Sequence, residues 1–101
     1  MTPENKVKKR VTDILKSANA YYFYPVTGGF GRSGVPDIVA CYRGKFLGIE
    51  CKAGKNKPTD LQLKNLRDIE KSGGVSLVVN EGNVNDVSEA LAFIERGEDD
   101  G

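Results

Sequence analysis

Apolar residues recur along the chain with two different periods, and the switches between those periods lay out seven elements. In residues 3–18, Val7, Val11, Ile14, Leu15 and Ala18 fall on one face at about 100° per residue, which predicts an amphipathic helix. Thr2 stands at its N-cap and Pro3 at its first helical position. Residues 20–26, Ala-Tyr-Tyr-Phe-Tyr-Pro-Val, are aromatic-rich and predict a strand. Two more strands, Val35 to Tyr42 and Lys45 to Lys52, meet at Arg43-Gly44. A helix follows over 59–72, with Leu63, Leu66 and Ile69 marking its buried face and Gly73-Gly74 ending it. Val75 to Val79 lacks clean alternation, as a buried strand does. Val84, Val87, Leu91 and Ile94 predict a last helix over 83–96. The order α-β-β-β-α-β-α predicts an α/β fold, a mixed central sheet flanked by helices.

The hairpin carries the chemistry. If Arg43-Gly44 is a tight two-residue turn, Tyr42 pairs with Lys45, and the register sets Asp37 opposite Glu50. Side chains directly opposite on one face have Cβ atoms about 4.5–5.5 Å apart, and like charges there destabilise a sheet. A bound divalent cation reverses the sign of that term. Lys52 lies two residues beyond Glu50 and projects from the same face. Two hard oxygen ligands and an ammonium on one surface suit metal-assisted hydrolysis of a phosphodiester. In the same register Cys41 faces Phe46 and points away from Cys51, which argues against a disulfide.

Composition narrows the alternatives. The chain has 101 residues, which predicts one domain over 1–101 with an acidic tail at about 97–101. No apolar stretch approaches the ~20 residues that span a bilayer. The first residues lack the apolar run of a signal peptide, and with only two cysteines the expectation is a cytoplasmic protein. Histidine is absent, which excludes a histidine general base or a Ser-His-Asp triad and nearly excludes a Cys/His zinc site. Carboxylates, lysine and a hard metal remain. The net charge of +1 conceals a split: residues 1–67 carry 13 Lys/Arg against 5 Asp/Glu, and residues 68–101 carry 2 against 9. An acidic site within a basic surface fits a polyanion held by its phosphates, while an ordinary solvated surface with an acidic tail is the plainer reading.

Other candidates each have two readings. Glu4 lies on the apolar face of the first helix, but an acidic residue in a first turn also simply favours the helix dipole. Gln62 points inward on its helix, yet with Thr59 it also fits a capping box. Thr27-Gly28-Gly29-Phe30-Gly31-Arg32-Ser33-Gly34 is either a loop whose backbone, at Gly34 for example, approaches a phosphate with Arg32 beside it, or a plain connection. Lys8, Arg32, Arg43, Lys55 and Lys57 are candidate phosphate contacts or solvated charges. Tyr21-Tyr22-Phe23-Tyr24 either forms a subunit interface or fills the core.

Pro36-Asp37, then Glu50-Cys51-Lys52 after twelve intervening residues, resembles the PD-(D/E)XK nuclease signature. With the preceding Gly28-Gly29, the early Glu4 and the later Gln62, nearly the whole chain resembles the virus-type replication-repair nuclease family, VRR-NUC, in its stand-alone bacteriophage or bacterial form. The resemblance implies a restriction-endonuclease-like fold and a metal-dependent, structure-selective DNA endonuclease. It implies Mg²⁺ or Mn²⁺ on Asp37, Glu50 and the backbone carbonyl of Cys51, with Glu4 binding directly or through water. It implies that Lys52 activates the attacking water and that Gln62 positions Lys52, water or DNA. Several such proteins resemble Holliday-junction resolvases of DNA repair and recombination, and symmetric cutting of a four-way junction needs two sites, hence a homodimer. No membrane and no organic cofactor are implied, and a phage-encoded protein in a bacterial host is expected. The alternatives are a flap or restriction-like nuclease working with a partner, and a non-catalytic DNA-binding module.

Overall fold

A computed structural model describes residues 1–26 and 31–97. The Gly28-Gly29 pair and most of the acidic tail lie outside the described residues. The element order is α1 (Pro3–Ser17), β1 (Tyr21–Phe23), β2 (Ile38–Tyr42), β3 (Lys45–Cys51), α2 (Asp60–Lys71), β4 (Val75–Val79) and α3 (Asn85–Arg96), the α-β-β-β-α-β-α succession read from the sequence. The strands form one mixed sheet in the order β1-β2-β3-β4. β1 to β3 are antiparallel neighbours, and β4 runs parallel to β3 because α2 carries the chain back across the sheet.

Local chemistry fixes the starts of α1 and α2 and the turn of the hairpin. Thr2 Oγ1 accepts the Asn5 N–H at 3.1 Å and starts α1 with Pro3 inside the first turn. Thr59 and Gln62 exchange the two hydrogen bonds of a capping box and start α2. Arg43 (φ 51°) and Gly44 (φ 82°) both take positive φ, which is the requirement of a two-residue type I′ turn. That turn sets Tyr42 against Lys45, and the register runs unbroken to Ile38 against Ile49.

α1 and α3 cover one face of the sheet. Val7, Val11 and Leu15 pack with Ile38, Ala40, Leu47, Ile49 and Cys51, and with Val79, Val84, Val87, Leu91 and Ile94. α2 covers the other face, and it sits close because Gly48 beneath it has no side chain: a Cβ there would run into Ile69 and Pro36. Gly34 serves the same contact from the loop. Its φ is +77°, and a Cβ would come within 2.7 Å of the Leu61 side chain. Gly34→Ala combines left-handed strain with overpacking, so it is expected to cost about 2 kcal/mol. A fall in melting temperature on the order of 10 °C follows for a chain of this size. Scanning calorimetry checks it, and an unchanged melting temperature would remove the close-packing argument.

Four expectations change. The predicted strand over 20–26 is paired only at Tyr21–Phe23, since Pro25 has no N–H to give to a ladder and restricts Tyr24 before it. β2 begins at Ile38 rather than Val35, because Val35 and Pro36 lie in the loop against α2. Leu63 is exposed at 37% while Asn65 is buried at 6%. The buried arc of α2 is centred near Gln62 and Ile69, between Leu66 and Asn65, which leaves Leu63 about 110° away at 100° per residue. β4 is an edge strand with Val78 exposed at 38%, not a strand enclosed on both sides.

Candidate metal centre

The site forms where β2 and β3 part at the end remote from their turn. Asp37 sits one residue before β2, next to Ile38, whose partner is Ile49, and Glu50 is the residue after Ile49. Asp37 extends the ladder with its side chain: Oδ2 accepts the Cys51 N–H at 2.8 Å. In an extended strand the N–H and C=O of one residue point to the same edge. The Cys51 carbonyl therefore faces the Asp37 side. Its neighbour Lys52 turns its own N–H to β4, donating to Val79 O at 2.9 Å.

Glu50 is 1% exposed. Its Oε2 meets the Lys52 ammonium at 3.3 Å, as expected for two residues on one face of a strand. Its Oε1 is buried and, among the described residues, has no hydrogen-bond partner. Burial, and then the negative charge of Asp37, push the Glu50 carboxyl up to about 7 from its ordinary 4.5, against the opposing pull of Lys52. The same burial, with Asp37 and Glu50 beside it, pushes the Cys51 thiol up to about 12. The thiol lies in the apolar core and stays protonated, so the chemistry of Cys51 is confined to its backbone. Cys41 and Cys51 are both free.

α1 brings in two further charges. Lys8 Nζ stands 3.8 Å from Glu4 Oε2 and 3.8 Å from Asp37 Oδ1, so it bridges the two carboxylates. Glu4 thus reaches the site, half-exposed and through Lys8. In front of Asp37 opens a cleft of about 710 Å³, lined by Lys8, Tyr24, Arg32, Gly34 and Gln62 among others. The Gln62 side-chain carbonyl is engaged by the Thr59 N–H at 2.8 Å, which leaves its amide nitrogen as the atom for a ligand. Arg32 borders the cleft and pairs with Asp68 at 3.6 Å. Lys55 and Lys57 are exposed on the loop that leaves the site end of β3.

Arg43 does not join this group. It sits in the turn at the opposite end of the hairpin, roughly 20 Å from Asp37 at about 3.3 Å per strand residue. There it pairs with Glu95 at 3.5 Å and lies over the Tyr42 ring. Lys8, a candidate phosphate contact or solvated charge by sequence, stands beside the carboxylates, and its i, i+4 spacing from Glu4 is a visible signal of that pairing. Asn65 carried no signal: its Nδ2 donates to Ser33 O at 3.2 Å and Leu61 O at 3.0 Å, which ties the loop before Asp37 to α2.

Among the described residues, no group of three or more His, Cys, Asp or Glu side chains gathers to hold a metal. The donors present are an unpartnered carboxylate oxygen of Glu50, Asp37 Oδ1 and the Cys51 carbonyl. That set fits Mg²⁺ or Mn²⁺, since Mg²⁺ commonly takes one or two carboxylates and keeps several waters. Among the described residues, no helix is long and apolar enough to cross a membrane. No protein-family model matches the chain, and no curated protein matches it either.

Proposed function

We propose that the chain is a Mg²⁺- or Mn²⁺-dependent DNA endonuclease of the VRR-NUC kind, acting as a homodimer on branched DNA and above all on four-way junctions. The observation that carries this reading is Glu50. A carboxylate at 1% exposure, with one oxygen unpartnered among the described residues and Asp37 beside it, holds more negative charge than the Lys52 ammonium alone offsets, and a divalent cation would supply the rest. A divalent ion held there would lower the pKa of a water and offset charge developing on the phosphate.

The chain's own groups divide the remaining work. Asp37 and Glu50 hold the cation, with the carbonyl of Cys51 as a further oxygen. Lys52, fixed by Glu50 at 3.3 Å, orients the attacking water and faces the charge that builds on the phosphate. Gln62 offers its amide nitrogen to water or DNA at the cleft. Glu4 acts at one remove. Arg32, Lys55 and Lys57 take phosphates along the approach, so DNA affinity is expected to fall steeply as salt rises.

The homodimer is supported by a sheet face that α2 leaves uncovered. Tyr21 is 72% exposed, Phe23 50% and Phe46 46%, and they flank Val39 and Cys41 on β2. Tyr21 and Phe23 stack edge to face at 6.2 Å. Replacing both, Tyr21→Asp with Phe23→Asp, is expected to give a monomer by light scattering. That monomer makes single nicks but loses paired cuts. A double variant that remains dimeric would move the interface elsewhere.

The test of the activity is a cleavage assay on a labelled four-way junction, a 5′ flap, single strands and linear duplex, in Mg²⁺, Mn²⁺ and EDTA, with Lys52→Ala alongside. Paired symmetric nicks on the junction, lost in EDTA and in the variant, are expected. Cleavage of flaps or duplex instead would keep the nuclease and discard the resolvase. Absence of metal-dependent cleavage would leave a DNA-binding module.

A further inference from the structure

Lys8 stands where a second cation would have to compete. Asp37 has one oxygen, Oδ2, fixed by the Cys51 N–H at 2.8 Å, so a metal on Asp37 has Oδ1 to use. Oδ1 is the oxygen that faces the Lys8 ammonium at 3.8 Å. The other neighbour of that ammonium, Glu4 Oε2 at 3.8 Å, lies one helical turn away on α1. An ammonium and a divalent ion on one carboxylate oxygen repel each other. Lysine carries its charge on a flexible four-carbon stem, and the cleft of about 710 Å³ beside it gives that stem room. Lys9, on the same wall of the cleft, is committed differently: its Nζ binds both oxygens of Asp13, at 3.2 and 3.1 Å.

We infer that Lys8 is a built-in counter-cation, which neutralises Glu4 and Asp37 in the metal-free protein and is transferred to a substrate phosphate when a divalent ion takes its place. The inference rests on the metal-dependent nuclease reading and adds a device to it. The ammonium screens the acidic pair while the protein is unloaded. Its release adds a positive charge to the cleft only once the site is charged with metal, so phosphate capture is coupled to readiness.

The test compares Lys8→Gln with Lys9→Gln, two variants that lose the same charge from the same helix. Mn²⁺ affinity is measured on the whole chain by calorimetry or by the electron paramagnetic signal of free Mn²⁺. Lys8→Gln is expected to bind Mn²⁺ about tenfold more tightly than wild type. Lys9→Gln is expected to stay close to wild type. Binding of a four-way junction is then followed against KCl, in Ca²⁺ and in EDTA. In Ca²⁺ the log–log salt slope of Lys8→Gln should be shallower than that of wild type by about 0.9, the value of one phosphate contact on duplex DNA. In EDTA the two slopes should coincide. Equal Mn²⁺ affinities for the two variants would overturn the inference while leaving the metal site standing, provided wild type binds Mn²⁺. A slope difference that persists in EDTA would make Lys8 a permanent phosphate contact and overturn it too. A wild-type chain that binds no Mn²⁺ would remove the metal reading, and the counter-cation with it.

Discussion

Asp37→Asn is expected to abolish cleavage, by a factor of a thousand or more on the order of what a lost transition-state contact and metal ligand remove together. The same variant should bind DNA nearly as well as wild type and resist unfolding better in EDTA. The reasoning is local. Asparagine keeps an oxygen that can accept the Cys51 N–H now given to Oδ2, so the end of the β2–β3 ladder survives. It removes a negative charge beside Glu50, the second cause of the raised Glu50 pKa. It also frees Lys8 from one of its two partners, which leaves the basic cleft no less attractive to phosphate. Single-turnover cleavage, filter binding in Ca²⁺ and urea unfolding in EDTA read the three effects separately. Wild-type cleavage by Asp37→Asn in Mg²⁺ would refute the site assignment. Lower stability in EDTA would show that the ion pair with Lys8 outweighs the repulsion from Glu50.

The second large effect is an inverted pH dependence of metal-free stability. The Glu50 carboxyl is raised in the folded protein, to about 7 against its ordinary 4.5. A raised acid makes the folded state bind more protons than the unfolded state between those values. Its contribution is therefore fully present below pH 4.5, declines from there, and is lost as pH rises through 7. The size is on the order of 3 kcal/mol, from 1.36 kcal/mol per pKa unit. The window from pH 5 to 8 suits the measurement, because the chain contains no histidine and ordinary carboxylates titrate below it. Denaturant unfolding in EDTA should give a less stable protein at pH 8 than at pH 5. Glu50→Gln should flatten the difference, and Mg²⁺ or Mn²⁺ added at pH 8 should restore wild type. Equal stability of the metal-free wild type at both pH values would mean that the pocket does not penalise the charge.

The hairpin and its facing residues were legible because a two-residue turn leaves one register, and Arg43-Gly44 is short enough to impose it. Helix starts were legible from Thr2 with Pro3, and from Thr59 with Gln62, because caps are local chemistry. Less visible were features set by distant neighbours. Asn65 is buried because the carbonyl of Ser33 needs a donor, and nothing around position 65 announces that loop. Leu63 stays exposed because close packing over Gly48 and Gly34 rotates α2 toward Asn65. In the sequence Arg43 and Lys8 look alike, each a candidate phosphate contact or a solvated charge. Their separation into a far turn and a near carboxylate bridge depends on where the strands end, which composition does not encode. The orphaned oxygen of Glu50 is likewise a property of packing and not of the Glu-x-Lys spacing.

The turn at Arg43-Gly44 lies far from the carboxylates, yet it helps to keep them face to face. Side chains alternate faces along a strand, so a slip of one residue in the β2–β3 register would swing Asp37 to the other side of the sheet from Glu50, and the two-residue turn acts with buried Ile38 and Ala40 to prevent it. A loss of that register would separate both carboxylates at a stroke, although no residue of the turn lies near them. The alignment of the two carboxylates is thus secured in part by an exposed bend about as far from Asp37 as this hairpin allows.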